Sequence, residues 1–239
     1  MSVTTSSRGP CPEASDLYNY KLVDKSFDAL KFDAAASYQL PSAHKSECEH
    51  AKNQPGENLL VVSPYTSRSH LLDLNAISTP HQLLAKGLTV MKPTSDRYAT
   101  IAYREAFNWD CVVESVRSLS LAAAYCWEVQ SFYIVVFRSQ VPPSTDRSHL
   151  GLLDDKSHEE AIESGGLLKY WFGVPDEDGR NLATCVWRDR DDARRGSGGV
   201  GHQLAARKTQ NMYTEWKIER LRLVIGHDAQ SWQIVDWCD

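Results

Sequence analysis

A surplus of cations, a long apolar run and a paired-cysteine motif are all missing from this chain, and each absence removes a class of function. Its 26 lysines and arginines are outnumbered by 31 aspartates and glutamates, for a net charge of −5. No basic field therefore rewards contact with nucleic acid or an anionic membrane through counterion release. No apolar segment nears the roughly 20 residues that cross a bilayer. The N-terminus, MSVTTSSRGPCPEASD, lacks the apolar core of a signal peptide. We expect a cytoplasmic protein, with its six cysteines (Cys11, Cys48, Cys111, Cys126, Cys185, Cys238) as reduced thiols. Their spacing contains no C-x-x-C, so neither a zinc ribbon nor a redox dithiol is expected. G-x-S-x-G, H-E-x-x-H and a paired-carboxylate motif are missing too, which sets hydrolases and metalloproteases aside.

What is there sorts into an arm and a body. Residues 1–57 are polar and proline-interrupted (Pro10, Pro12, Pro41, Pro55), and read as an extended or partly disordered arm strapped down by Tyr18, Tyr20, Phe27, Phe32 and Tyr38. Residues 58–239 read as a single α+β domain. In its 58–127 part, LLVVS and HLLDL precede Ser78-Thr79-Pro80, a hydroxyl N-cap followed by proline, which predicts a helix to about Met91. A second helix begins near Asn108, with Val112, Val116, Leu119 and Ala123 on its buried face. In the 128–239 part, SFYIVVFRSQ is a strand, and a helix follows with Leu152, Leu153, His158 and Ile162 near one face, stopped by Gly165-Gly166. Leu167 to Trp187 is then a hairpin turned at Pro175, Asp176, Asp178 and Gly179. RDRDDARR and His202 to Tyr213 are helical, TEWKIERLRLVI is a strand, and Trp232 to Trp237 is a last strand open to pairing with an edge of the sheet or with a partner subunit. Strand, helix, strand, strand, helix, strand is the ferredoxin-like βαββαβ order.

That order places helices on one sheet face, so alternation should separate two sets of side chains. Tyr133, Val135, Phe137, Leu168, Tyr170, Phe172, Ala183, Cys185, Leu221, Leu223 and Ile225 are assigned beneath the helices. Ile134, Val136, Arg138, Lys169, Trp171, Thr184, Val186, Arg188, Trp216, Ile218, Arg220 and Arg222 form the reverse face, whose mixture of aromatic, aliphatic and cationic groups suits a pocket or an interface.

The segments HLLDL (70–74), AFNWD (106–110), FYIVVFRS (132–139), SHEEAIESGGLLKYWFG (157–173), NLATCVWR (181–188) and EWKIERLRL (215–223) resemble an uncharacterised ascomycete protein family, from about residue 59 onward. That resemblance implies no activity. By element order the C-terminal half also resembles the dimeric α/β-barrel superfamily, which includes cofactor-free polyketide monooxygenases, small cyclases and haem enzymes. This second resemblance implies a sheet face closed against a second sheet.

Weaker signals are set aside. Gly196-x-Gly198-Gly199-x-Gly201 could cradle a phosphate, but a charged helical stretch separates it from the preceding strand and no Lys-Ser or Lys-Thr follows it, so it reads as a loop. His44, Cys48 and His50 lack a fourth zinc ligand. His158 and His202 are the helical candidates for an axial haem ligand and read more simply as core or surface histidines.

The expectation is a cofactor-independent small-molecule enzyme with no metal. It would be a cyclase or isomerase, including cycloaddition of the Diels-Alderase kind, acting on an apolar polyketide- or terpenoid-like substrate in fungal secondary metabolism. Lys169, Arg138 or Arg188 would polarise a carbonyl, and Trp171, Thr184, Val186, Trp216, Ile218 and Arg220 would shape the cavity. A cofactor-free monooxygenase and a non-catalytic dimeric binding protein are the alternatives. Partners are expected to be an apolar small molecule but neither nucleic acid nor membrane, with a homodimer left open.

Overall fold

The computed structural model describes residues 59–65, 67–145, 147–209 and 212–238, without the side chains of 147–149. The expected arm and the His44, Cys48, His50 group lie outside these residues. Two short strands open the described chain, β1 (Leu59–Val61) and β2 (Leu71–Asp73), paired antiparallel. Helices α1 (Thr79–Gly87), α2 (Tyr103–Ala106) and α3 (Trp109–Ala122) follow. Proline near the α1 start fits the expected helix onset, although the Ser78 hydroxyl bonds the His81 ring (2.7 Å) instead of capping the backbone.

The second half holds β3 (Gln130–Gln140), α4 (Arg147–Ser164), β4 (Leu167–Phe172), β5 (Arg180–Trp187), α5 (Arg190–Gly196), α6 (Val200–Thr209), β6 (Glu215–Ile225) and β7 (Trp232–Asp236). The strands form one antiparallel sheet in the order β4-β5-β3-β6-β7. With α4 between β3 and β4, and α5 and α6 between β5 and β6, this is the ferredoxin-like arrangement extended by one edge strand. Gly165 and Gly166, at φ of 81° and 86°, make the left-handed turn that ends α4 and starts β4. Among the described residues, no helix is long and apolar enough to cross a membrane. Cys126, Cys185 and Cys238 are free thiols, whereas Cys111 is disulfide-bonded, against the expectation of uniformly reduced cysteines.

Both faces of the β4-β5-β3 part of the sheet are covered, which corrects the expectation of one open face. Beneath α4 and α5 lie Tyr133, Tyr170, Leu167 and Trp187, with Val135, Phe172, Ala183 and Cys185. Against the reverse face packs the N-terminal layer of residues 59–127, joining Ile134, Val136, Leu168, Trp171 and Val186 to Leu60, Leu84, Phe107, Trp109, Val112 and Trp127 in the main core. A hydrogen bond from the Tyr170 backbone N–H to Val62 O (2.8 Å) stitches that layer to β4.

Register corrects two further assignments. Leu221 stands opposite Ile134 and Leu223 opposite Phe132, so both lie under the N-terminal layer with Ile225. Trp216 is opposite Ser139, Ile218 opposite Phe137, Arg220 opposite Val135 and Arg222 opposite Tyr133, on the α4 side. The register shift between Leu167 and Lys169 turns Leu168 into the main core. On the helices, Leu152 (65% exposed) and Ala123 face solvent rather than core.

Arg138 ties the N-terminal layer to the sheet. Its guanidinium donates to Ala99 O (2.6 Å), Ile101 O (2.8 Å), Tyr98 O (3.3 Å) and Glu219 Oε1 (2.8 Å). Tyr98 in turn lies over Gly173, where a Cβ would collide with its ring, and donates its hydroxyl to Val174 O (2.6 Å). Replacing Arg138 with methionine strands three carbonyls and a carboxylate. Urea denaturation of the Arg138→Met variant should show a loss of about 2–4 kcal/mol; a loss within about 0.5 kcal/mol, the range of an ordinary surface substitution, contradicts the clamp.

Candidate functional site

On α4, Asp154, Asp155 and His158 fall at helical spacing that turns all three toward β4 and the segment joining β1 to β2. β4 supplies Tyr170, and that segment supplies Tyr65 and His70. Tyr65 donates its hydroxyl to Asp154 Oδ2 (2.5 Å) and Tyr170 donates to Oδ1 (2.6 Å), so one carboxylate takes two phenols. His70 Nδ1 lies 2.7 Å from His158 Nδ1, and His70 Nε2 lies 3.3 Å from Asp155 Oδ1. The rings pack closely, Tyr65 tilted to His70 at 4.9 Å, His70 stacked on His158 at 5.0 Å and His158 tilted to Tyr170 at 5.3 Å between centroids.

Hydrogen-bond logic assigns the protons. The Asp155 carboxylate, 3.3 Å from His70 Nε2, favours a proton on that nitrogen, and the His70 tautomer so favoured carries a lone pair on Nδ1 that accepts from His158 Nδ1–H. His158 Nε2 is then a bare lone pair, and it is buried without a partner. Both rings are nearly sealed, at 3% and 4% exposure, while the Asp155 side chain is 44% exposed, so the chain of contacts runs from a dry end to a wet one. Burial, with His70 adding to it, pushes His158 down to about 3, which keeps it neutral at ordinary pH. Desolvation raises Asp154 even though both phenols oppose the shift, and Tyr65 and Tyr170 are raised by burial and by Asp154. The Cys185 thiol, also beneath α4, is pushed up to about 12 by burial and is a poor nucleophile.

The expected site residues are not gathered here. Lys169, Trp171, Thr184 and Val186 share the opposite face as expected, but the N-terminal layer fills the space over them. Trp171 is fully buried, edge-on to Phe107 (4.9 Å) and Tyr98 (5.2 Å). Thr184 Oγ1 bonds the Tyr103 hydroxyl (2.8 Å) and Val135 O (3.1 Å). Arg138 is the clamp described above, and Arg188 grips the buried Asp192 with two bonds (2.6 and 3.1 Å). Trp216, Ile218 and Arg220 stand across the sheet from Trp171 and are exposed. Arg138 and Trp216 do meet in a shallow cleft of about 290 Å³ at the end of the sheet, beside Ala99, Arg180 and Lys217.

His158, weighed in the sequence as a haem ligand, spends Nδ1 on His70. Among the glycines of the 196–201 segment, the Glu160 carboxylate accepts from the N–H groups of Gly201 (2.7 Å) and His202 (2.9 Å), so the chain fills its own helix N-terminus with an anion. Sequence reasoning missed Tyr65, His70, Asp154, Asp155 and Tyr170 as a unit. The Asp154-x-x-x-His158 spacing was visible, but nothing local reports that His70 meets a residue 88 positions away.

Comparison with known proteins gives a match of residues 61–236 to the family model described as PB2B2.08-like. A Schizosaccharomyces pombe protein named UPF0643 protein PB2B2.08 is 38% identical over 177 residues, covering 71% of this chain and 80% of that protein. Among solved structures, Rv0793 from Mycobacterium tuberculosis is similar at 18% identity and a TM-score of 0.34, over 38% of this chain and 92% of that one. SnoaB from Streptomyces nogalater, described as a cofactor-independent oxygenase, is similar at 18% identity and a TM-score of 0.32, over 36% and 89%. At that level the likeness carries nothing about activity.

Lys169, fully buried with Nζ unpartnered, is pushed down to about 7 by desolvation. Because the unfolded lysine holds its proton up to about 10.4, the unfolded chain binds the extra proton between those values, and stability rises with pH across that window by up to about 1.4 kcal/mol per unit. Thermal melts should therefore show the native chain gaining stability from about pH 7 to about pH 9, and the Lys169→Met variant more stable at pH 7 and nearly flat. A Lys169→Met variant that melts lower and keeps the native slope contradicts a neutral buried amine.

Proposed function

The chain belongs to the PB2B2.08-like family, and we propose that it is a small-molecule enzyme that moves a proton on an apolar, enolisable substrate with its own side chains, in isomerisation or ring closure. The observation that carries this reading is the unpartnered Nε2 of His158 at the dry end of the Asp155–His70–His158 chain. Alone, a histidine so desolvated is a weak base. In the chain it need not keep the charge: as Nε2 takes a substrate proton, Nδ1–H passes to His70 Nδ1. The positive charge then rests on His70 against the Asp155 carboxylate, 3.3 Å away.

The surroundings support an apolar substrate. Tyr65 and Tyr170 pack against the histidine pair with Phe172 beside both tyrosines, and the two phenols are committed to Asp154. Those bonds occupy both oxygens of Asp154, and the carboxylate at ion-pair distance from His70 is Asp155.

The reaction is tested with 2-tetralone, a flat enolisable ketone, by following deuterium uptake at its α-carbon in D2O by NMR. The native protein should accelerate uptake; His158→Gln should lose about 100-fold or more of that acceleration and Asp155→Asn about tenfold, as for removal of a general base and its orienting partner. Oxygen uptake coupled to loss of the ketone would assign the cofactor-free oxygenase instead. Uptake unchanged in a folded His158→Gln variant overturns the proposal.

A further inference from the structure

The two edges of the sheet differ. On β4 the Tyr170 N–H is taken by Val62 O (2.8 Å), whereas among the described residues no strand pairs with the outer side of β7. The Trp237 N–H bonds Arg220 O and the Gly226 N–H bonds Ser231 O, both at 2.9 Å, which fixes the antiparallel alternation. Gln233 and Val235 therefore turn their backbone groups to β6, and those of Trp232, Ile234 and Asp236 point outward. β7 carries neither lysine nor proline, the residues that discourage pairing at an edge. Beside it, on the α4 side, Trp216 (52% exposed), Ile218 (37%) and Val235 (41%) leave apolar surface in water. Exposed Arg220 has no ion-pair partner among the described residues.

A cover for such an edge must bring backbone groups at strand spacing, apolar side chains on alternate residues and negative charge. Residues 17–23, LYNYKLV, meet all three: in an extended chain Tyr18, Tyr20 and Leu22 share one side and Asn19 and Lys21 the other, with Asp16 and Asp24 at the two ends. A separate observation brings the same part of the chain to this edge. Cys111 is disulfide-bonded while Cys126, Cys185 and Cys238 are free, so its partner among the six cysteines is Cys11 or Cys48, both before Leu59. Cys111 follows Asp110 on α3, and the Asp110 carboxylate accepts from the indole of Trp232 (2.9 Å), the first residue of β7. Length is no obstacle. The roughly 35 residues between Val23 and Leu59 reach over about 100 Å when extended, and β7 lies only four strand spacings of about 4.8 Å from β4.

We propose that residues 17–23 of the same chain add to the sheet as a further strand, hydrogen-bonded to the outer side of β7, with Tyr18, Tyr20 and Leu22 beside Val235 on the α4 side. Main-chain bonds to Ile234 give the docking its direction, the alternate apolar side chains cover the strip along β6 and β7, and the bracketing aspartates answer Arg220 and Arg222. The inference does not rest on the histidine site.

The test is hydrogen exchange of the full chain, followed amide by amide by NMR. Ile234 and Asp236 should exchange at least about tenfold more slowly in the native chain than in the Tyr20→Pro variant, where residues 17–23 lose a donor and cannot continue a ladder. Amides of β3, two strands further in, should exchange alike in both, which reports the body intact. Light scattering should give the mass of one chain throughout. Ile234 exchanging as fast as an exposed loop amide in the native chain, or slow exchange that survives Tyr20→Pro, overturns the proposal. Slow exchange that develops only together with a doubled mass also overturns it and assigns the edge to a second copy.

Discussion

Everything in this structure depends on burying both faces of the β4-β5-β3 part of one five-stranded sheet. A ferredoxin-like sheet covers only one face with its own helices, and the reverse face, carrying Ile134, Val136, Trp171 and Val186, would otherwise present a broad apolar surface to water. The chain closes that face with its N-terminal layer. Aromatic rings interlock across the join, Trp171 against Phe107 and Tyr98, and Arg138 reaches out of the sheet to hold the backbone of residues 98–101. The cover over that face comes from the same chain.

Sealing both faces raises the stakes for every polar group inside, because unpaired charge in a dry interior is costly. The α4 side meets this with a connected network, two phenols on Asp154 and two histidines leading to Asp155, and ends it in one free nitrogen. The opposite side is mostly apolar and buries Lys169 without a partner among the described residues. The fold thus keeps two buried, unpartnered nitrogens, His158 Nε2 and Lys169 Nζ, on opposite faces of a β-sheet, each desolvated by a different packing layer.

Much of this was legible in the residues. The strand and helix order, the Gly165-Gly166 turn and the alternation of β3, β4 and β5 follow from periodicity and turn chemistry, and Lys169, Trp171, Thr184 and Val186 were placed on their common face. Strand β6 was phased wrongly because its apolar residues change parity midway, Trp216 and Ile218 at one end and Leu221, Leu223 and Ile225 at the other, and only pairing with β3 fixes which set faces which layer. Leu168 was misplaced by a bulge that alternation cannot report. The larger error was the open face. Nothing in the Val112, Val116, Leu119 stripe of α3 says which surface it will cover, so its docking against the sheet is tertiary information. The histidine pair is illegible for the same reason, its partners coming from a connecting segment and a helix far apart in the chain.

The proposed site depends on the state of one nitrogen, His158 Nε2, and long-range ¹H–¹⁵N NMR of the imidazole rings reads it directly. His158 should hold its proton on Nδ1, keep Nε2 bare, and remain neutral as the pH falls from about 8 to about 4, well through the range where an ordinary histidine titrates. A His158 signal that titrates near the usual 6.5, or that shows the proton on Nε2, would contradict the account.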